Sequence, residues 1–221
     1  MTAKSEFKAV IFDMDGLLVD SERVWHIAEE EMFTGRGLAY TDEVREQIIG
    51  LRLDEFMHKL ITMFNLTESA DVLMADLIGR MLKRIPTEVE KQPGAQEIVE
   101  YVISQDIPTA IASSSPMAII DAIVTAQGWD MAFPQRFSAD DDAKGKPAPD
   151  VYIRAVQTLG FEPSECLALE DSPTGSRAAV GAGMTCYAVP DLSHSSPEKF
   201  ADITPHVFTN LHEVLALLKG E

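Results

Sequence analysis

Asp13-Met14-Asp15-Gly16-Leu17-Leu18-Val19-Asp20-Ser21 follows directly on Lys8-Ala9-Val10-Ile11-Phe12, and the junction between the two decides the fold. A short apolar run that ends abruptly in carboxylates is the pattern of a parallel strand buried on both faces. Open α/β sheets bind their ligands in the crevice beyond the carboxyl ends of the strands. Asp13 and Asp15, two positions apart at such an end, are therefore both expected to reach that crevice. Asp and Gly are also ordinary turn residues, and a lone pair of carboxylates at this spacing reads equally well as a surface turn. Further polar elements downstream decide for chemistry.

These elements come in a consistent order. Ile107-Pro108-Thr109-Ala110-Ile111-Ala112 runs into Ser113-Ser114-Ser115; Gly145-Lys146-Pro147-Ala148-Pro149-Asp150 opens a helical pattern; Cys166-Leu167-Ala168-Leu169 ends in Glu170-Asp171-Ser172. Together with the first motif they resemble the haloacid dehalogenase superfamily. More narrowly, they resemble the branch that holds β-phosphoglucomutase and small sugar-phosphate phosphatases such as 2-deoxyglucose-6-phosphate phosphatase. The resemblance covers essentially the whole chain. It implies an α/β fold, a Rossmann-like core with a parallel sheet, and an inserted helical-bundle cap domain.

Composition sets bounds on partners and compartment. The 221 residues suffice for a large domain or a domain with a smaller lobe. No apolar run approaches the roughly 20 residues needed to span a bilayer. Met1-Thr2-Ala3-Lys4-Ser5-Glu6 lacks the layout of a signal peptide, since the apolar run after it is cut by Asp13, so a cytoplasmic protein is expected. Cys166 and Cys186 both lie in apolar runs and read as buried thiols. His26, His58, His194, His206 and His212 show no zinc-ligand spacing and read as surface or structural groups. With 18 basic and 36 acidic side chains the net charge is −18, which repels nucleic acid and anionic membranes. The same surface repels a phosphorylated substrate, so a phosphate site needs local positive charge: a divalent cation and Lys146. The expected partner is a small phosphorylated metabolite, and the chain is expected to act as a monomer.

After Val19 the period changes from strand to helix. Helical stretches are expected at about 21–34, 42–49, 53–64 and 68–84, with Thr41 and Thr67 as N-caps and Gly35-Arg36-Gly37 ending the first. Leu53, Phe56, Met57, Leu60, Ile61 and Phe64 fall on one helical face. The methionines of this lobe read as core. Pro86 and Pro93-Gly94 mark the return to the main domain, which gives a core of residues 1–20 and 92–221 and a cap of 21–91. Beyond it, helices and strands alternate: helix 95–104, strand 107–113, a helix capped by Ser115 with Pro116 at its first position and Gly128 at its end, a short strand 136–138 before Asp140-Asp141-Asp142, a helix whose inner face carries Val151, Tyr152, Ala155, Val156 and Leu159, strand 166–170, a Gly- and Ala-rich helix, strand 184–189, then Val207-Phe208 and helix 211–219. Such alternation predicts a mostly parallel sheet with helices on both faces. Residues 190–200 read as a surface loop.

The resemblance assigns roles to the motif residues. Asp13 is the nucleophile that forms an aspartyl-phosphate. Asp15 is the acid that protonates the leaving oxygen and then deprotonates water. The superfamily's dehalogenases lack this second Asp, its phosphonatases carry Ala there and its transport ATPases Thr, so Asp15 points to phosphate esters. Converging acidic groups repel unless a cation lies among them, and an all-oxygen, partly hydrated site suits Mg2+. Asp13, the backbone carbonyl of Asp15, Glu170 and Asp171 are the expected ligands, with Glu170 bound directly or through water. Ser113 and the backbone N–H of Ser114 are expected to bind the phosphoryl oxygens, aided by the helix that starts near Pro116, and Lys146 to offset the transition-state charge. The cap is expected to close over the site, with Glu22, Trp25 and Arg52 as candidates for recognising the leaving part of the substrate.

The alternative reaction is that of a β-phosphoglucomutase, which needs a cap His and a cap Arg to hold a second phosphate. Counted from the matching motifs, the His position falls on Trp25 and the Arg position, just after Gly50, on Leu53. His26 and Arg52 each miss by one residue, about 100° of helix rotation. Hydrolysis is therefore the expected reaction. A non-catalytic binding protein of the same fold would have shown itself by the loss of Asp13, Asp15 or Lys146, and all three are present.

Overall fold

The computed structural model describes residues 7–48, 51–192 and 195–221. In chain order its elements are β1 (Ala9–Phe12), β2 (Val19–Asp20), α1 (Glu22–Thr34), α2 (Asp42–Ile48), α3 (Leu53–Phe64), α4 (Ala70–Glu88), β3 (Glu90–Lys91), α5 (Ala95–Ser104), β4 (Thr109–Ser113), α6 (Met117–Gln127), β5 (Gln135–Ser138), α7 (Asp150–Leu159), β6 (Cys166–Glu170), α8 (Pro173–Gly181), β7 (Thr185–Ala188) and α9 (Leu211–Lys219). They fall into two compact units, one of residues 1–20 and 90–221 and the other of residues 21–89.

The first unit is built on a parallel sheet of order β5-β4-β1-β6-β7. Every residue of β1, β4 and β6 is buried, which is why these strands read as continuous apolar runs rather than alternating ones. β1 lies between β4 and β6, so the chain moves to one side of β1 and later to the other. That reversal opens a crevice at the carboxyl ends of the three strands. The register pairs Phe12 with Ile111 and with Leu169, which brings Asp13, Ser113 and Glu170 to the same edge. On one face of the sheet, Ala9, Ile11, Ala110, Ala112 and Ala168 pack against Val151, Tyr152, Ala155 and Val156 of α7 and Ala178 and Ala179 of α8. The small strand residues let these helices approach closely. Cys166 and Cys186 are buried free thiols in this layer.

The second unit contains α1 to α4. Leu73, Leu77, Met81 and Ile85 of α4 form a buried stripe, and Val24, Ala28, Met32 and Phe33 of α1 are buried as well. Met32, Met57 and Met81 are core, while Met63 and Met74 are half-buried. Outside that core, Arg36 bonds Glu68 and Asp76, Arg80 pairs with Asp76 and Glu31, and Arg84 pairs with Glu31 and Glu88. Among the described residues no helix is long and apolar enough to cross a membrane.

Three local readings are corrected. Helix α4 begins at Ala70, capped by Ser69 rather than Thr67, and runs to Glu88 with Pro86 in its last turn. Burial of Ile85 at the end of the apolar stripe carries the helix past the point where proline forfeits one hydrogen bond. Glu90-Lys91 pairs antiparallel with Val19-Asp20, which places those residues with the first unit. Helix α6 starts at Met117 with Pro116 as its cap residue, because the Ser115 hydroxyl is engaged elsewhere. Ile49 and Gly50, on which the end of the second helix and the mutase count depend, lie outside the described residues, as does His194.

Candidate active site

Asp13 is the first residue beyond β1, and its backbone N–H donates to the Leu169 carbonyl (2.9 Å), which ties it to the end of β6. There it meets Glu170 and Asp171: one carboxylate oxygen from each of the three lies within 4.8 Å of the others. Gly16 makes this approach possible. Its φ of +79° is the left-handed conformation that favours glycine, and a Cβ there would stand 2.3 Å from Asp171 Oδ2.

Lys146 supplies the counter-charge. It lies in the loop before α7, and its Nζ donates to Asp13 Oδ1 (2.6 Å), Glu170 Oε1 (2.7 Å) and the Ala112 carbonyl (2.9 Å). All three ammonium protons are thereby used. Its side chain is 5 % exposed, against 8 % for Asp13 and 0 % for Glu170, so the interactions act almost free of solvent screening. Burial pulls the Lys146 pKa down, but Asp13 and Glu170 more than offset this and hold it above the usual lysine range. Asp13 is pushed well above the ordinary carboxylate range by burial; Lys146 opposes the rise, and Glu170 and Asp15 add to it. Asp171 is raised by burial, then by Asp13 and Glu170. One cation against three converging carboxylates leaves the cluster short of positive charge. Its donors are all hard oxygens, so the residues present fit a divalent cation.

The Asp15 carboxylate is anchored by serines, while its charge still bears on Asp13. Its Oδ2 accepts hydrogen bonds from the hydroxyls of Ser115 (2.8 Å) and Ser113 (3.1 Å). Ser113 Oγ in turn accepts from the Ser115 N–H (2.9 Å), and Ser138 Oγ donates to the Ser115 carbonyl (2.8 Å). Asp15 is thus held at the mouth of β4, beside the hydroxyl expected to bind phosphate, while exposed Ser114 points its residue to solvent.

Several site residues escape a reading of motifs alone. Ser115 reads as a helix cap but bonds Asp15. Tyr152 reads as inner-face packing, yet its hydroxyl donates to Glu170 Oε1 (2.6 Å). Ser172 caps α8 through the Gly175 N–H (3.0 Å) and donates to Glu170 Oε2 (3.3 Å). Asp191, in the stretch read as a surface loop, donates its N–H to the Asp171 carbonyl (3.4 Å), and its charge bears on Asp171. A signal for it existed: like Asp13 and Asp171, it is an acid just past the carboxyl end of a parallel strand.

Glu22, Trp25 and Arg52 belong to the helical unit. Trp25 is half-buried on α1, and Arg52 precedes α3 with its Nε 3.2 Å from Asp54 Oδ1. A cavity of about 550 Å³ in the same unit is lined by Glu31, Asp76, Arg80, Lys83, Arg84 and Glu88, and holds none of the motif residues.

The chain is 32% identical over 219 residues to the probable pseudouridine-5'-phosphatase of Drosophila melanogaster, covering 90% of this chain and 92% of that one. It is 29% identical to hexitol phosphatase B of Escherichia coli K12, with 96% and 97% covered. The structure of CbbY from Rhodobacter sphaeroides in complex with phosphate superposes with a TM-score of 0.84 at 24% identity, over 94% of this chain and 96% of that one, and so shares the fold. The family model for haloacid dehalogenase-like hydrolases matches residues 10–189, a span that holds every motif from Asp13 to Asp171. The chain belongs to the haloacid dehalogenase-like hydrolases.

Proposed function

We propose that the protein is a Mg2+-dependent phosphatase that hydrolyses a small phosphate monoester, a sugar phosphate or a similar compound, through an aspartyl-phosphate, acting as a monomer in the cytoplasm. The observation that carries this reading is the buried Lys146 bridging Asp13 and Glu170 where three carboxylates converge. The names of the relatives, a pseudouridine-5'-phosphatase and a hexitol phosphatase, support the substrate class.

In this reading Lys146 holds Asp13 by Oδ1 and leaves Oδ2 as the attacking oxygen. Attack forms the Oδ2–P bond as the bond from phosphorus to the ester oxygen breaks, and Asp15 gives that oxygen a proton. Asp15, now ionised, takes a proton from water as the water oxygen attacks phosphorus and the Asp13–P bond breaks, releasing inorganic phosphate. Ser113, freed from Asp15, and the Ser114 N–H bind the non-bridging oxygens, and Lys146 bears on their charge. Asp13, Glu170, Asp171 and the Asp15 carbonyl would hold Mg2+, which when bound screens Asp13 and polarises the phosphoryl group. Glu22, Trp25 and Arg52 of the helical unit are proposed to select the leaving group.

A hydrolysis screen over phosphorylated sugars, nucleotides and small acids tests the reading. Phosphate release should require Mg2+, stop in EDTA and be absent in Asp13→Asn. Undiminished activity in EDTA, or turnover by Asp13→Asn, would refute it.

A further inference from the structure

Tyr152 lies on α7 with its hydroxyl fully buried, and a buried hydroxyl costs free energy unless it is bonded. Its partner is Glu170 Oε1 at 2.6 Å, the same oxygen that accepts from Lys146 at 2.7 Å. Lys146 Nζ lies 5.0 Å from the centre of the Tyr152 ring. The ring alone would keep that contact and fill the core; the hydroxyl adds its donation to the carboxylate and a longer 3.5 Å contact with Lys146 Nζ.

A glutamate has three side-chain torsions and stays in one orientation only if its oxygens are tied. Among the described residues, Glu170 Oε1 is tied by Lys146 and Tyr152, and Oε2 by Ser172 at a longer 3.3 Å. Lys146 divides its protons among Asp13, the Ala112 carbonyl and Glu170, so it is not dedicated to Glu170. The Tyr152 hydroxyl has a single proton, and Glu170 Oε1 receives it. We infer that Tyr152 is a positioning residue of the metal-bearing centre: its O–H fixes the Glu170 carboxylate and thereby sets the affinity for the divalent cation. This rests on the Mg2+ site of the proposed function. Outer partners of metal-binding groups typically contribute about ten- to a hundredfold in metal affinity or activity.

Calorimetric titration of the resting protein with Mg2+, with no substrate present, reads this directly. Tyr152→Phe should bind Mg2+ about tenfold more weakly, with half-maximal activation shifted equally and the KM for the ester unchanged. Its melting temperature should stay within about 4 °C of wild type. In a Glu170→Gln background, Tyr152→Phe should add little further loss, because the tyrosine acts through that carboxylate. Wild-type Mg2+ affinity in Tyr152→Phe would overturn the inference, as would the same tenfold loss in both backgrounds or a Phe variant that does not fold. Absence of hydrolysis in a wild-type protein that still binds Mg2+ would sink the proposed function instead, and the calorimetric comparison would still decide the role of Tyr152.

Discussion

Replacing Gly175 by alanine should dislodge Glu170 without straining the backbone. Gly175 is in the first turn of α8, with no left-handed φ that would itself resist a side chain. An added methyl would stand 2.0 Å from Glu170 Oε1 and 2.1 Å from Oε2, where ordinary contact begins at 3.4 Å. The carboxylate must therefore withdraw by about 1.4 Å. A flexible side chain normally absorbs such a shift, but this one is pinned by Tyr152 and Lys146 at 2.6 and 2.7 Å. Withdrawal on that scale breaks both bonds. Hydrogen bonds to a charged group are worth roughly 1.5–3 kcal/mol each, and the gain in helix propensity from Gly to Ala returns about 1 kcal/mol at most. A net loss of about 2–5 kcal/mol follows, or roughly 4–20 °C in melting temperature for a chain of this size. Thermal unfolding by circular dichroism and a phosphatase assay measure the two consequences, with activity expected to fall at least tenfold. Adding Glu170→Asp, which shortens the side chain by one methylene, should recover part of the lost stability. Wild-type melting and wild-type activity in Gly175→Ala would show that the carboxylate does not occupy this position, and the reasoning would fail.

Asp15→Asn should slow hydrolysis of a sugar phosphate far more than that of an activated aryl phosphate, whose leaving group needs no proton; equal losses would argue against Asp15 as the acid. Burial and mutual repulsion raise Asp13 and Asp171, so the native state there holds protons more tightly than the unfolded chain. Their contribution to stability is full only below the unfolded value of 3.8 and is lost as pH rises through the raised native values. Metal-free protein should therefore melt higher at about pH 5.5 than at about pH 7.5, and Mg2+ at the higher pH should restore the difference; a melting temperature indifferent to both would contradict the charge balance drawn here. Following β-glucose 1-phosphate by phosphorus NMR, with a trace of bisphosphate primer, should show free phosphate and no build-up of glucose 6-phosphate. Glucose 6-phosphate appearing faster than phosphate would establish the mutase.

The sequence by itself determined the α/β class, the helical stretches after β2 and which polar groups close the buried strands, because each of these is written in local pattern. Lys8 to Phe12 is apolar without alternation, as a strand buried on both faces must be, and Asp13, Ser113 and Glu170 each close such a run. What tertiary structure decided is which of these groups face one another. Asp15 is legible as a strand-end acid, but that its carboxylate accepts from Ser113 and Ser115, about a hundred residues away along the chain, follows only from the pairing of β1 with β4. Ser115 looked like a cap and Tyr152 like packing, since a helix-facing residue carries the same periodicity whether its tip ends in hydrocarbon or on a carboxylate. The length of α4 was likewise set by burial of Ile85, which outweighs the local break that Pro86 signals. Asp191 shares the strand-end position of the motif acids but stands in a stretch that is polar throughout, so only the packing of β7 beside β6 singles it out and brings it to Asp171. Periodicity reports which side of an element is buried; the partner it is buried against depends on strand order and register, which no local window contains.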